Sequence, residues 1–229
     1  MTSIINNLQE IQLKIEKAAN RGDRQVEGVS IIAVTKQVST ERAIEALDAG
    51  LNQLGENRPE GLLEKRATIT DRAVWHYIGS MQTRKVKQVI DKIDFLHSLD
   101  RLSLADEIEK RATRIVNCFV QVNVSGEESK HGLQPEEVIL FIEQLSQYSH
   151  IRVVGLMTMA PNTEDLEVVR NVFKNLKKLQ LEVENNGYAH APCHDLSMGM
   201  SNDYEIAVEE GATYVRIGTA LVGTERRDS

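Results

Sequence analysis

Short apolar runs alternate with longer helical patterns along almost the whole chain, and this alternation limits the possible folds more than any other feature. After an opening amphipathic helix there are eight apolar runs, at positions 30–35, 53–55, 74–78, 95–98, 117–124, 153–157, 195–198 and 214–218. Helical patterns begin between them near Thr40, Arg58, Thr83, Arg101, Pro135, Thr163 and Ser201. Repeated strand and helix units predict an α/β protein with a parallel sheet.

Eight such units are the number that closes a (β/α)8 TIM barrel. We therefore predict a single barrel domain over residues 1–229, preceded by one extra helix. A doubly wound open sheet is the alternative, but no G-x-G-x-x-G motif follows the first strand and no Pro/Gly-rich linker interrupts the chain. A hydrophobic content of 41% over 229 residues is enough for one large core.

Charge and cysteine content narrow the possible partners. The net charge is -7 and the acidic and basic residues are interspersed, so the sequence predicts neither nucleic-acid nor membrane-surface binding. The sequence contains no apolar stretch of membrane-spanning length and no signal-peptide pattern, which predicts a cytoplasmic location. Cys118 and Cys193 are expected to be buried or free thiols rather than a disulfide framework. The interspersed charges therefore favour a small-molecule partner.

Residue alternation predicts which side chains enter the barrel. In the last strand Val215 and Ile217 should face the helices, which places Arg216 inside. In the fifth strand, the valines at 120, 122 and 124 should likewise face outward, and Gln121 and Asn123 inward. The interior should therefore contain polar groups.

Lys36 ends the apolar run of the first strand, on the face that also carries Ile32 and Val34. It is thus expected at the C-terminal mouth, where barrel enzymes place their chemistry. A lysine amine at such a position can form a Schiff base with an aldehyde, either pyridoxal phosphate or a sugar. The alternative is a side chain that simply extends from the strand end into water.

Small and hydroxyl residues end the last two strands, where barrels often bind phosphate. Ser197, Ser201, Gly218 and Thr219 are the candidates, because free backbone N–H groups at helix starts favour an anion. Ser201 can also act as the N-cap of a helix that begins at Asn202. Gly218 can be a turn glycine at the strand end, and Thr219 a surface hydroxyl.

Arg216 needs a hydrogen-bond acceptor inside the barrel, since a buried arginine cannot release its proton. A salt bridge to Glu56 or to another carboxylate would satisfy it. A cofactor's pyridine nitrogen would satisfy it equally, and the arginine would hold that nitrogen unprotonated.

Three further features carry weaker predictions. Residues 190–195 contain two histidines, a cysteine and an aspartate, but their spacing matches no standard zinc motif. Residues 126–132 form a charged loop that is expected to be solvated. Tyr77 and Tyr214 are possible acid or base groups, but they are expected to be core or surface aromatics.

Seven ordered motifs resemble the pyridoxal phosphate homeostasis protein family, and the match runs from about Ile31 to Gly223. The motifs are Ala33-Val34-Thr35-Lys36, Gly55-Glu56-Asn57, Trp75-His76-Tyr77-Ile78-Gly79, Gly126-Glu127-Glu128-Ser129-Lys130, Gly155-Leu156-Met157-Thr158-Met159, Leu196-Ser197-Met198-Gly199-Met200-Ser201 and Val215-Arg216-Ile217-Gly218-Thr219.

The resemblance implies a fold-type III barrel like the N-terminal domain of alanine racemase, with pyridoxal 5'-phosphate held as a Schiff base on Lys36. By the same motifs, Arg216 would face the pyridine nitrogen, Asn57 and Met157 would line the ring, and Ser201, Gly218 and Thr219 would bind the phosphate. One departure is Ser80-Met81, where many relatives have histidine and leucine. A proton role for that histidine does not transfer to this chain.

The resulting prediction is a monomeric, cytoplasmic protein that buffers or delivers pyridoxal phosphate in vitamin B6 and amino-acid balance, with pyridoxal-phosphate-dependent apo-enzymes as acceptors. It is not expected to be an enzyme, because a racemase needs acid and base groups on both faces of the substrate carbon and no convincing second group accompanies Lys36. The alternatives are a racemase of low activity and a sugar-phosphate aldolase that uses a cofactor-free Lys36.

Overall fold

A computed structural model describes residues 3–127 and 131–225. Eight parallel strands lie in chain order around a closed barrel, in which the last strand pairs with the first. The prediction of a barrel rather than an open sheet is confirmed. The strands are β1 (Ser30–Val34), β2 (Gln53–Glu56), β3 (Val74–Tyr77), β4 (Phe95–Leu99), β5 (Val116–Gln121), β6 (Ile151–Met157), β7 (Asp195–Met200) and β8 (Tyr214–Ile217).

Helices follow the strands on the outside of the barrel. Within the described ranges they are α1 (Ile4–Arg21), α2 (Thr40–Asp48), α3 (Pro59–Ile69), α4 (Val86–Val89), α5 (Leu102–Arg111), α6 (Val138–Gln144), α7 (Leu166–Asn185), α8 (Tyr204–Glu209) and α9 (Thr219–Val222). The extra helix α1 buries one face, with members that include Ile4, Leu8, Ile11 and Ile15, at the three- and four-residue spacing of a helix. None of the helices in the described ranges is long and apolar enough to cross a membrane.

The helices predicted near Thr83 and Pro135 open with 3-10 turns at those residues, and two others begin later than predicted. Helix α7 starts at Leu166 rather than near Thr163, because the Asp165 carboxylate accepts the N–H groups of Glu167 and Val168 and caps it there. The helix expected from Ser201 also starts three residues later, at Tyr204. Ser201 is therefore not its N-cap, and that alternative is wrong.

Alternation along the strands sorts the side chains as predicted. Val120, Val122, Val215 and Ile217 belong to the core between barrel and helices, while Arg216 lies in register with Ile32 on the inner face. The fifth strand is shorter than predicted and ends at Gln121. The first strand ends at Val34, two residues before Lys36, so Lys36 lies in the turn that follows the strand.

Aromatic rings fill the N-terminal half of the barrel. The rings of His76 and Phe95 stack with centroids 4.6 Å apart, and those of His97 and Phe119 stack at 4.4 Å. Tyr214 contacts three of these rings at 5.6–5.8 Å. These rings occupy space inside the barrel, so the C-terminal mouth is the expected place for a ligand.

Candidate functional site

A cavity of about 540 Å³ opens at the C-terminal ends of the strands. This volume lies in the range of small-molecule and cofactor sites. Six of the eight residues predicted from the sequence line it, namely Lys36, Asn57, Ser201, Arg216, Gly218 and Thr219. The fold thus brings together residues from β1, β2, β7 and β8 that are up to 183 positions apart, the separation of Lys36 from Thr219.

Lys36 is exposed and lies at the rim of this cavity. It also borders a second cavity of about 690 Å³, shared with Asn57 and lined further by Glu56, Arg58 and Glu225. The amine is therefore reachable from both cavities. The position suits capture of an aldehyde, and it is equally the position of a lysine that extends into water.

A buried ion pair supports the turn that carries Lys36. The Thr35 hydroxyl donates to Glu56 Oε1 at 2.6 Å, and Lys65 Nζ from helix α3 lies 3.0 Å from the same oxygen. The side chains of Glu56 and Lys65 are each 2% exposed. Glu56 is thus turned toward the helices and paired there, so the alternative of a salt bridge between Glu56 and Arg216 is wrong.

Arg216 is held by neutral acceptors instead. Its Nη1 donates to Ser197 Oγ at 2.5 Å and its Nη2 donates to the Thr158 carbonyl at 2.8 Å. The residue is only 5% exposed, and the described residues place no carboxylate within salt-bridge distance of it. Burial lowers the pKa of Arg216 to about 10, although the nearby Asp203 opposes this shift. The guanidinium remains charged at neutral pH, and Arg216 is one of the residues that line the cavity.

Two predicted residues lie below the cavity rather than in its wall. Ser197 is fully buried, and its hydroxyl is engaged by Arg216 and by His97 Nδ1 at 2.9 Å. Met157 is 2% exposed at the end of β6, in register with Gln121 and Ser197. The structure therefore places Ser197 as a support of the arginine and separates it from the other three predicted phosphate-binding residues.

Those three residues lie side by side on the cavity. Ser201 is half-buried in the turn after β7, while Gly218 is the N-cap of helix α9 and the exposed Thr219 is its first residue. The first N–H groups of a helix have no partner within it, so donors are available here beside the two hydroxyl groups. This arrangement can hold an oxyanion.

A close backbone approach fixes Asn57 on the opposite side. A Cβ placed on Gly79 would lie 2.2 Å from the Asn57 carbonyl oxygen, so only glycine fits between the ends of β2 and β3. Ser80 follows and lines the cavity at its rim.

Sequence reasoning missed several residues of the cavity wall. Asp203 lines the cavity, and burial raises the pKa of its carboxyl group although the Met200 N–H donates to it. Met159, Leu166 and Met200 add an apolar edge, and all three are exposed. A signal for Asp203 was its position two residues after Ser201, but that segment was predicted to form the first turn of a helix.

The remaining predictions fall outside this cavity. His190 and His194 contact the Ile142 carbonyl and Glu184, and the described residues contain no group of three side chains placed to hold a metal. Tyr77 is 2% exposed, and burial raises its pKa to about 12. Tyr214 lies in the aromatic cluster of the barrel, so neither tyrosine lines the cavity.

Two predictions concern the cysteines and the charged loop. Cys118 and Cys193 are free and fully buried, which confirms that they form no disulfide framework. Positions 128–130 of the loop predicted at 126–132 lie outside the described residues.

Three comparisons relate this geometry to known proteins. The family model for the N-terminal domain of alanine racemase matches residues 6–226. The chain is 40% identical over 223 residues to the pyridoxal phosphate homeostasis protein of Aquifex aeolicus, covering 96% of this chain and 97% of that protein. The structure of PipY from Synechococcus elongatus with pyridoxal phosphate bound is 28% identical, with a TM-score of 0.83, and the match covers 96% of this chain and all of that one.

A more distant neighbour shows the extent of the shared fold. Alanine racemase of Clostridium difficile is 18% identical with a TM-score of 0.72, and the match covers 96% of this chain but 58% of the racemase. At this identity the likeness shows the fold alone. The barrel therefore corresponds to one part of the racemase chain.

Proposed function

Because the chain belongs to the pyridoxal phosphate homeostasis proteins, within the alanine racemase N-terminal domain family, we propose that it binds pyridoxal 5'-phosphate on Lys36 and buffers or delivers it. The observation that carries the proposal is one cavity whose lining includes both an exposed lysine and a buried arginine. The relative from Synechococcus elongatus, whose structure has pyridoxal phosphate bound, supports the choice of ligand.

The residues present fit this cofactor. The cavity of about 540 Å³ has room for a pyridine ring with a phosphate arm. Hydroxyl groups of Ser201 and Thr219 lie on it together with the backbone at Gly218, and these donors suit a phosphate. Arg216 donates to Ser197 and Thr158 and still lines the cavity, so it can donate to a ring nitrogen without losing its other partners.

The cofactor supplies an aldehyde that a primary amine captures reversibly with loss of water. The chain's own residues position it. Arg216 is charged at neutral pH and donates only, so it keeps a ring nitrogen that faces it unprotonated and thereby weakens the ring as an electron sink. Asn57, fixed by the contact with Gly79, forms the opposite wall. These roles serve binding rather than turnover.

We further propose that the protein does not turn over amino acids. Among the described residues that line the cavity, the titratable side chains are Lys36, Asp203 and Arg216, with no tyrosine or histidine. A racemase requires an acid or base on each face of the substrate carbon. Asp203 is the one carboxyl group in this set of described residues, and no tyrosine or histidine accompanies it to act opposite Lys36, which supports the proposal. The single-domain organisation, a monomeric state, a cytoplasmic location and apo-enzymes as acceptors remain parts of this proposal.

The first test of binding is the visible spectrum of the purified protein, followed by borohydride reduction and peptide mapping. We expect a yellow protein whose cofactor is fixed on Lys36 by reduction. The Lys36→Ala variant should lose the yellow form, whereas Lys110→Ala, an exposed lysine on α5, should keep it. A colourless wild-type protein that pyridoxal phosphate does not reconstitute would overturn the proposal in favour of an aldolase or an unrelated barrel.

The test of turnover is exchange of the α-hydrogen of amino acids in deuterium oxide with the loaded protein. We expect no exchange across a broad panel of amino acids. Sustained exchange that Lys36→Ala abolishes would instead establish a racemase-like enzyme.

A further inference from the structure

Two buried histidines inside the barrel have no part in the cavity wall. His76 and His97 are fully buried, and both lie on the far side of Ser197 from the cavity. We propose that His97 and His76 are positioning residues that hold the Ser197 hydroxyl, and through it the Arg216 side chain, in one orientation. This inference rests on the proposed function, because the arginine they orient is the group assigned to the cofactor ring.

A continuous chain of short contacts joins these residues along the barrel. Arg216 Nη1 lies 2.5 Å from Ser197 Oγ, and that oxygen lies 2.9 Å from His97 Nδ1. His97 Nε2 lies 2.8 Å from His76 Nδ1, and His76 Nε2 lies 2.6 Å from Gln53 Oε1. Each distance is that of a hydrogen bond. This series of hydrogen bonds thus begins at Arg216 on the cavity and ends at Gln53, the first residue of β2.

Because an arginine only donates, its position at one end determines the direction of each hydrogen bond in this series. A guanidinium only donates, so Ser197 Oγ accepts from it, and the serine hydrogen is free to go to His97 Nδ1. A His97 ring that accepts at Nδ1 carries its hydrogen on Nε2 and donates it to His76 Nδ1. His76 then donates from Nε2 to the Gln53 amide oxygen, the amide atom that lies 2.6 Å from that nitrogen.

The opposite direction leaves a buried group without a partner. If His97 donated from Nδ1, Ser197 Oγ would accept twice, and its hydrogen would have no acceptor among its described contacts. A buried unsatisfied hydroxyl destabilises the folded state. Gln53 would also have to present its nitrogen to His76. One set of tautomers therefore satisfies all five residues, and the other does not.

The surroundings keep both rings neutral and in place. Burial lowers the pKa of His76 to about 3 and that of His97 well below its ordinary value, with His76 and Arg216 adding to the second shift. Stacking on Phe95 and Phe119 restricts rotation of the two rings. The serine hydroxyl consequently cannot rotate away from the arginine, which keeps Arg216 Nη1 in one direction.

The first test is a measurement on the cofactor-free protein, so it does not depend on the proposed function. Long-range 15N–1H correlation spectra distinguish the two neutral tautomers of a histidine. We expect hydrogen on Nε2 of both His97 and His76. Hydrogen on Nδ1 of His97 would overturn the assigned direction.

The second test measures the dissociation constant for pyridoxal phosphate. His97→Phe keeps a stacked ring but removes both nitrogens, so the constant should rise about tenfold, the size expected for a lost hydrogen bond to a charged network. His97→Asn places an acceptor the same number of bonds from the backbone as Nδ1, so the constant should stay within about threefold of wild type. Equal losses in the two variants would reduce His97 to a packing role and refute the proposal.

Phe173→Leu is the matched control for stability. Phe173 is fully buried in α7, outside the barrel, and its substitution should lower the unfolding midpoint without changing the dissociation constant. If Phe173→Leu also raised the dissociation constant, the effect of His97→Phe would be explained by lost stability. That result would contradict the proposal. Absence of pyridoxal phosphate binding by the wild type would refute the proposed function instead, and the tautomer spectra would still decide the direction of the chain.

Discussion

Replacing Lys65 with methionine isolates a buried charge next to the proposed cofactor lysine. In the native protein Lys65 Nζ lies 3.0 Å from Glu56 Oε1, with each side chain 2% exposed. Methionine keeps most of the apolar stem that Lys65 packs in helix α3, so the main change is loss of the ammonium group. The Thr35 hydroxyl at 2.6 Å is then the remaining side-chain donor to Glu56 Oε1.

The expected cost follows from the burial of this pair. Removing one member of a buried ion pair typically destabilises a protein by about 3–5 kcal/mol, because the other charge is left uncompensated. With both side chains 2% exposed, little water reaches either charge to offset this loss. Replacing both members should cost much less, so the free energy of unfolding of Glu56→Gln with Lys65→Met should lie within about 1–2 kcal/mol of wild type.

Urea unfolding of wild type, both single variants and the double variant measures these free energies. Lys110→Ala serves as the exposed-lysine control and should change stability by less than about 0.5 kcal/mol. If Lys65→Met cost less than about 1 kcal/mol, or the double variant were as unstable as Lys65→Met, the buried pair would not have the role assigned to it. Either result would refute the reasoning.

Three other predictions follow from the same structure. Gly79→Ala should lower the free energy of unfolding in urea by about 1–3 kcal/mol and weaken cofactor binding, because its Cβ would lie 2.2 Å from the Asn57 oxygen. Gly28→Ala is the control and should do neither, because the space around Gly28 is open. Stability should fall as the pH drops from about 6.5 toward 3, because unfolded His76 binds a proton that the folded residue, with a pKa of about 3, does not. His76→Phe should reduce that slope by about one proton, or about 1.4 kcal/mol per pH unit, and an unchanged slope would contradict the assignment. Burial raises the pKa of both cysteine thiols, so neither should react with a thiol reagent before unfolding, and rapid native labelling would show the burial to be wrong.

Local sequence patterns predicted the fold and many of the residues that line the cavity. The eight apolar runs and the helical patterns between them are local features that span a few residues each. They predicted the closed barrel that the structure has. The same alternation predicted that Arg216 faces inward while Val215 and Ile217 face the helices. Because parallel strands end at one edge, position in the chain was enough to bring Lys36, Asn57, Ser201 and Gly218 to one mouth.

Helix starts were less predictable, because several residues near each start are of types that can serve as the N-cap. Ser201 and Thr163 are both suitable N-cap residues, yet the helices begin after Asp203 and Asp165. Asp165 accepts two backbone N–H groups, and an acceptor of this kind offsets the unpaired donors at a helix start. The difference of a few residues places Asp203 on the cavity rather than inside a helix.

The sequence by itself determined which residue types alternate and where strands end, and hence the barrel and the set of side chains at its mouth. Only the tertiary structure decided their partners: Glu56 turns outward to Lys65, while Arg216 is held by Ser197 and Thr158. The physical reason is that a hydrogen bond requires atoms to meet within about 3 Å. Whether residues from separate strands meet so closely depends on register and side-chain packing across the whole barrel, which no local pattern contains.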